Sequence, residues 1–380
     1  MKDTRPIPTV VCTFFDYPSR LLKALHENNV IRLIRPPIAN LAPVQHRQWL
    51  KENVKHASAL IVWIVSGRID EEILREAHDS LKVISVFGVG YDHIDMAYCK
   101  SRNILVGTTP NVSDDAVANE ALLILLMVLR RSAESQRLVK TGNFPDMVWG
   151  TGSDPHYLCG QSVMNKTVAL YGFGRIAQKI AERLLPLGPR RILYKTSRVS
   201  APLTASSYPT LYQLASTIYK GCQFEHRSTI KELVQEADVV ICITPLTEET
   251  RSSINEETLC YFKQGSYIVN VGRGAVIETE ALIKVLRQGK LAGAALDVLN
   301  EEPNVPSSHP LLADDLADKV VIFPHVASAE MDSRTAQSEL VARNVFRGLG
   351  LSNDDLVGCI RDENEKRNLM ELIDGETHFV

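Results

Sequence analysis

The chain is 380 residues long, with 45% hydrophobic and 23% charged residues. That is enough apolar material for two or three domains and too much for an intrinsically disordered chain. Its 42 basic and 45 acidic residues leave a formal net charge of −3, so no global positive field is present to hold a nucleic acid. Anionic ligands must be met by a few placed cations or by backbone N–H groups.

The longest apolar run, residues 121–129, is nine residues, against the about 20 that a membrane-spanning helix needs. No membrane contact is expected. The opening MKDTRPIPTV has no apolar signal core, and the closing THFV is neither a retention nor a peroxisomal address. Seven cysteines stand singly, without a C-x-x-C pair. They read as reduced thiols in a reducing, cytoplasmic setting, not as a disulfide frame or a metal site.

The first hundred residues alternate short β-branched runs with helical stretches. Residues 9–14, 59–65, 83–87 and 104–106 predict buried parallel strands, because their apolar runs are continuous rather than alternating. Residues 17–27 and 71–78 predict helices, the second with Asp70 as N-cap. A long Ala/Leu-rich helix follows over 114–131, acidic at its start and basic at its end. It is apolar nearly all round, so it is expected to be buried between layers or against a second subunit. Residues 141–160 read as an irregular loop.

From residue 165 the alternation becomes cleaner. Strands are predicted over 167–171, 191–194, 239–244, 266–271, 293–298 and 320–323. Six strands with intervening helices make a doubly wound parallel sheet of the Rossmann type. Residues 200–227 read as a polar insertion, and the residues after 350 as a loosely held tail.

The first of these strands runs straight into Gly172-Phe173-Gly174-Arg175-Ile176-Ala177 and then into a helical stretch. Between a strand and a helix, G-x-G-x-x-A is a dinucleotide fingerprint. Gly172 permits the tight turn, Gly174 lets the backbone approach a pyrophosphate, and Ala177 allows close helix–strand packing. An acid near the end of the next strand would bind the ribose 2′-hydroxyl of NAD. Here that strand runs into Lys195, Thr196, Ser197 and Arg198. Two cations and two hydroxyls suit a 2′-phosphate, so NADP(H) is expected in preference to NAD(H).

Further segments at strand ends are Thr244-Pro245-Leu-Thr, Asn-Val271-Gly-Arg273-Gly, Leu-Asp297-Val followed by Glu-Glu302-Pro, and Pro-His325-Val-Ala-Ser328. Upstream lie Ser66-Gly67, Gly-Val89-Gly90-Tyr-Asp-His-Ile-Asp and Thr-Pro-Asn-Val112. Together and in this order they resemble the D-2-hydroxyacid dehydrogenase family over roughly residues 55–350. The softer signals Leu-Cys-Gly160, the basic stretch after Tyr194 and His309-Pro-Leu-Leu resemble its glyoxylate/hydroxypyruvate reductases.

The resemblance implies NAD(P)H-dependent reduction of a small 2-oxo acid to the D-2-hydroxy acid. His325 would give the proton, Glu302 would hold the other ring nitrogen and favour the imidazolium, and Arg273 would grip the 2-oxo acid. It assigns Asp297 to the nicotinamide carboxamide, and Thr244, Pro245 and Val271 to the cofactor cradle. Ser66, Gly67, the N–H groups of Val89 and Gly90, and Ser328 would line the substrate site. It further implies a flavodoxin-like substrate domain over 1–112, a nucleotide domain over 113–326, and a return to the first domain over 327–380. Hinges would lie near 109–112 and 327–334, and the 114–131 helix would form a homodimer interface. A broader 2-ketoacid reductase, a phosphoglycerate dehydrogenase and a dinucleotide-sensing transcriptional corepressor share the pattern. A formate dehydrogenase is disfavoured, because His325 has a Glu302-Pro partner motif rather than a glutamine.

Overall fold

The computed structural model describes residues 6–39, 41–142, 156–196, 203–357, 360 and 363–380. Two compact units form. One comprises residues 1–113 and 330–380, the other residues 114–329.

The first unit is built on five parallel strands: β1 (Thr9–Cys12), β2 (Arg32–Ile34), β3 (Ala59–Val62), β4 (Val83–Val86) and β5 (Leu105–Gly107). Their order is β2-β1-β3-β4-β5, the flavodoxin-like doubly wound order. β3 and β4 are buried along their whole length, as their continuous apolar runs require. The apolar run after β3 does not stay in the sheet. Trp63 leaves it and Ile64–Ser66 turn as a 3-10 helix.

β2, the Pro43–Val54 helix and the short Met96–Ser101 helix are absent from the sequence reading. β2 is a three-residue edge strand opening on an exposed arginine. The Pro43–Val54 helix buries only Leu50 and Val54 among its described side chains, so it carries no apolar period. Pro43 and the Gln45 side chain, which accepts the Ala42 N–H, set its start.

Residues after 350 are not a loose tail. The Glu363–Ile373 helix buries Leu369 and Ile373 in the first unit's core. Beyond it the chain pairs antiparallel with the open edge of β5 at Gly107 and Phe379. The buried Asn344 holds this closure, donating to the Thr108 carbonyl (3.0 Å) and accepting the His378 N–H (3.2 Å). Covering an edge strand also removes a template for intermolecular pairing. The signal was hidden because charged residues dominate this segment's sequence.

The second unit carries seven parallel strands: β6 (Thr167–Tyr171), β7 (Arg191–Lys195), β8 (Gln223–His226), β9 (Val239–Cys242), β10 (Ser266–Asn270), β11 (Leu291–Leu296) and β12 (Val320–Ile322). The order β12-β11-β10-β9-β6-β7-β8 is the Rossmann order with one strand added. The order reverses between β6 and β9, where such sheets bind their ligands. β8 is the correction here: part of the presumed insertion is an edge strand, paired in parallel with β7. Its polar residues are explained by ion pairs of Arg191 and Arg227 with Glu225 and Glu236.

The long apolar helix spans Asp114–Leu129. The two arginines expected in its last turn fall just past its end, and Arg131 turns left-handed before a separate Ser132–Lys140 helix. No helix among the described residues is long and apolar enough to cross a membrane.

One buried carboxylate ties the C-terminal part of the first unit to its N-terminal part. Glu339, in the Met331–Gly348 helix, accepts the Ser19 hydroxyl (2.7 Å) and the N–H groups of Arg20 (2.7 Å) and Leu21 (3.2 Å). Ser19 in turn caps the Arg20–Glu27 helix through the Leu22 N–H. Glu339→Ala leaves these donors without an acceptor and should cost about 2–4 kcal/mol, given roughly 1–3 kcal/mol per buried unsatisfied group. Denaturant unfolding measures this, and a loss below about 0.5 kcal/mol would show the cap to be dispensable.

Candidate functional site

The dinucleotide cradle forms where β6 ends. Gly172 turns with φ +102°, and a Cβ there would sit 2.7 Å from the Ile243 carbonyl oxygen. Only glycine permits both the turn and that approach. Its N–H donates to the Lys195 carbonyl at 3.0 Å. Gly174 caps the Arg175–Leu184 helix with no side-chain bond, and a Cβ added there meets nothing within 4 Å. An open space over an uncapped helix N-terminus fits a diphosphate. The residues present therefore fit a dinucleotide.

The ring of Phe173 is buried and stacked on Tyr194 at 4.1 Å, so this residue offers the cradle only its backbone. Arg175 pairs with Asp114 at 3.0 Å. Ala177 is fully buried, as close packing of helix on strand requires. Thr244 and Val271 are buried where β9 and β10 end, and the Pro245 carbonyl accepts the Thr250 hydroxyl at 2.7 Å. Lys195 closes β7, over the Tyr171 ring and 3.5 Å from Glu249. Thr196 follows it, while Ser197 and Arg198 lie outside the described residues.

Across the same sheet edge lies a histidine–carboxylate pair. His325 Nδ1 is 2.6 Å from Glu302 Oε2, and the other Glu302 oxygen accepts the Leu299 N–H at 2.5 Å. Ring nitrogen Nδ1 thus gives its proton to Glu302, which leaves Nε2 as the working atom. Both side chains are about one-fifth exposed, shielded yet open to a small ligand. His325 has φ +55°, a conformation a non-glycine residue holds only when its surroundings impose it.

Asp297 imposes it. Its backbone carbonyl accepts the His325 N–H (2.8 Å), and its two carboxylate oxygens accept the N–H groups of Val326 (2.8 Å) and Ala327 (3.0 Å). Burial holds this carboxyl above the usual carboxylate range, against the lowering pull of the Val326 N–H, the His325 charge and the Ala327 N–H. The carboxylate expected to meet the nicotinamide carboxamide is thus engaged in building the His325 turn. Ser328 follows on that turn.

Arg273 is set by a second buried polar side chain. Asn270, at the end of β10, donates to the Arg273 carbonyl (2.9 Å) and accepts the Gly272 N–H (3.0 Å). The Arg273 guanidinium donates to the Gly272 carbonyl at 2.9 Å. Next to it, a Cβ on Gly274 would lie 2.0 Å from the Leu299 carbonyl carbon. The arginine turn therefore packs directly on the segment that carries Glu302.

In the first unit, Ser66 bonds the Thr13 hydroxyl at 2.7 Å and accepts the Trp63 N–H. This joins the ends of β1 and β3, the point where that sheet's strand order reverses. Gly67 follows with φ +83°. Past β4, the N–H groups of Val89 and Gly90 have no acceptor among the described residues, whereas the Gly88 carbonyl accepts the Thr109 N–H. Burial pushes the Cys12 and Cys242 thiols up to about 12, so neither is a nucleophile. Among the described residues no three His, Cys, Asp or Glu gather as a metal site.

Residues 122–327 match the D-isomer specific 2-hydroxyacid dehydrogenase, NAD binding domain. The chain belongs to the D-isomer specific 2-hydroxyacid dehydrogenase family. It is 37% identical to a glyoxylate reductase of Thermofilum pendens over 300 residues, covering 79% of this chain and 80% of that one. It is 34% identical to the human glyoxylate reductase/hydroxypyruvate reductase over 342 residues, 87% of this chain and 96% of that one. Its structure is similar to an NADPH-dependent glyoxylate/hydroxypyruvate reductase of Sinorhizobium meliloti, solved with NADP and malonate. The TM-score is 0.71 and the identity 29%, over 90% of this chain and 93% of that one. The chain is therefore a nicotinamide-dependent oxidoreductase acting on 2-hydroxy and 2-oxo acids.

Within this dehydrogenase, sequence reasoning missed Asn270 and the backbone role of Asp297. A polar residue at the end of an otherwise apolar buried strand was the available signal for both. Asp297→Asn supplies one acceptor where two N–H groups need one each. It should cost about 1–3 kcal/mol in unfolding free energy and lower kcat at least tenfold by releasing the His325 backbone. Wild-type melting and wild-type kcat together would refute the clamp.

Proposed function

We propose that the protein reduces glyoxylate and hydroxypyruvate to the corresponding 2-hydroxy acids, with NADPH as the preferred reductant. The observation that carries this reading is the 2.6 Å Glu302–His325 contact, on a segment packed against the Arg273 turn.

The bound nicotinamide supplies the hydride. His325 Nε2 gives the proton to the carbonyl oxygen in reduction and takes it back in oxidation, while Glu302 keeps the ring aimed. Arg273 binds the carboxylate and orients the carbonyl, a fork donor meeting a planar anion. We assign the N–H groups of Val89 and Gly90 to the substrate carboxylate as well, with Ser66, Gly67 and Ser328 lining the site. Gly172, Gly174, Arg175 and Ile176 hold the pyrophosphate through their backbone, and Thr244, Pro245, Val271 and Asp297 line the nicotinamide side.

The preference for NADPH is supported by Lys195, Thr196, Ser197 and Arg198 at the end of β7, where an NAD enzyme would carry an acid. A 2′-phosphate would compete with Glu249 for Lys195. Leu123 on the Asp114–Leu129 helix and Val139 on the Ser132–Lys140 helix, both exposed, support a homodimer formed through the Asp114–Leu129 helix. The cysteines' single placement along the sequence, without a C-x-x-C pair, supports a reducing, cytoplasmic location.

Steady-state assays with both cofactors test the preference. kcat/KM with NADPH should exceed that with NADH at least tenfold, and Lys195→Ala should lower the NADPH value about tenfold, a charge-assisted contact's worth, while leaving NADH within about twofold. A higher kcat/KM for NADH would overturn it. His325→Ala should lose about 10²–10⁴-fold in kcat while still quenching on cofactor binding. Unchanged turnover would remove His325 from the reaction.

A further inference from the structure

The segment that carries Glu302 holds a second carboxylate–histidine pair, which the reaction described above does not use. Glu301, the residue before Glu302, points its carboxylate at His309, with Oε2 3.1 Å from Nε2. The other oxygen accepts the Thr279 hydroxyl at 3.1 Å. His309 is buried, and its Nδ1 accepts the Leu311 N–H at 3.2 Å. A ring that accepts at Nδ1 carries its proton on Nε2 and donates it to Glu301. Both nitrogens of a neutral imidazole are thereby satisfied, and so are both oxygens of the carboxylate.

This arrangement bears on the catalytic pair through the backbone. Consecutive Cα atoms are 3.80 Å apart, so fixing Glu301 fixes the origin of the Glu302 side chain. Glu301 is anchored to the start of the Thr279–Arg287 helix and to the 3-10 turn at Pro310–Leu312. Its carbonyl also accepts the Asn304 N–H at 2.9 Å. The Glu302 carboxylate closes back on the Leu299 N–H, and Leu299 abuts Gly274 beside Arg273. Without the Glu301 anchors the segment is free to shift on the side away from Gly274. A contact as short as 2.6 Å tolerates little shift, and a misplacement of about 1 Å at a reacting group costs about 10²-fold in rate.

We propose that Glu301 and His309 form a positioning pair that sets the register of Glu302 against His325. Neither touches substrate or cofactor, and both act through Glu302. The inference rests on the assignment of His325 as proton donor. Wild-type enzyme without 2-oxo acid reductase activity would defeat that assignment, whereas an active wild type with indifferent variants would defeat the pair alone.

The test is steady-state kinetics of the full chain across pH, with cofactor binding followed by fluorescence. Glu301→Ala should lower kcat about 10–100-fold, leave cofactor binding within twofold, and move the histidine limb of the kcat/KM profile. Glu301→Gln keeps an acceptor for the His309 N–H and should recover kcat to within about threefold of wild type. Should Glu301→Ala fail to fold, His309→Asn, which keeps an acceptor for the Leu311 N–H but not the reach to Glu301, should show the same loss. The double variant should be no slower than Glu301→Ala, because the two residues serve one purpose. If Glu301→Ala or His309→Asn folds with kcat within twofold of wild type and an unmoved pH profile, the proposal is overturned, even if its melting temperature falls.

Discussion

A single aspartate turns the end of β11 into a frame for His325. Asp297 is 1% exposed, and its three oxygens accept the three successive N–H groups of residues 325–327. That pattern leaves His325 no extended alternative and holds it left-handed. The charge is buried at a cost, visible in the direction of the Asp297 pKa, and the two hydrogen bonds to the carboxylate oxygens offset part of it. With the backbone fixed, Glu302 needs to meet only one ring nitrogen to aim the other.

The same economy of approach runs along the strand ends of this unit. Gly172 passes the turn after β6 beneath the Ile243 carbonyl, and Gly274 lets the arginine turn press on Leu299. A methyl group at either place would collide with backbone, which cannot yield as a side chain can. Polar side chains do the remaining tethering: Asn270 bridges the turn before Arg273, and Glu301 ties the Glu302 segment to Thr279 and His309. Each is a buried or half-buried group whose partners are complete, the condition under which polar groups inside a fold rigidify it.

The first unit shows the same logic on a larger scale. Its sheet is assembled from the start of the chain, but its closure is not. Glu339 reaches from the C-terminal part to cap the Arg20–Glu27 helix, and Asn344 clamps the final residues along β5. A discontinuous unit of this kind depends on contacts some 320 residues apart in sequence, such as Ser19 to Glu339, so its formation carries a long loop-closure cost.

Local chemistry was enough to find much of this protein from its residues. Continuous β-branched runs gave most of the buried strands, because a strand covered on both faces has no polar side to break the pattern. The glycine fingerprint was legible because a tight turn and a close backbone approach demand glycine, whereas Arg273, Glu302 and His325 stood out only through the ordered set of motifs that resembles the family. The edge strands β2 and β8 were not, since an edge needs no apolar run, and the Pro43–Val54 helix was not, since it buries too little of itself. The final helix and the segment after it looked loose because their few apolar anchors sit among charges. The resemblance paired Glu302 with His325, but only the tertiary structure showed that Glu301 turns to His309. Glu301 and Glu302 are neighbours of one residue type, and what separates their roles is the direction each side chain takes from the folded backbone.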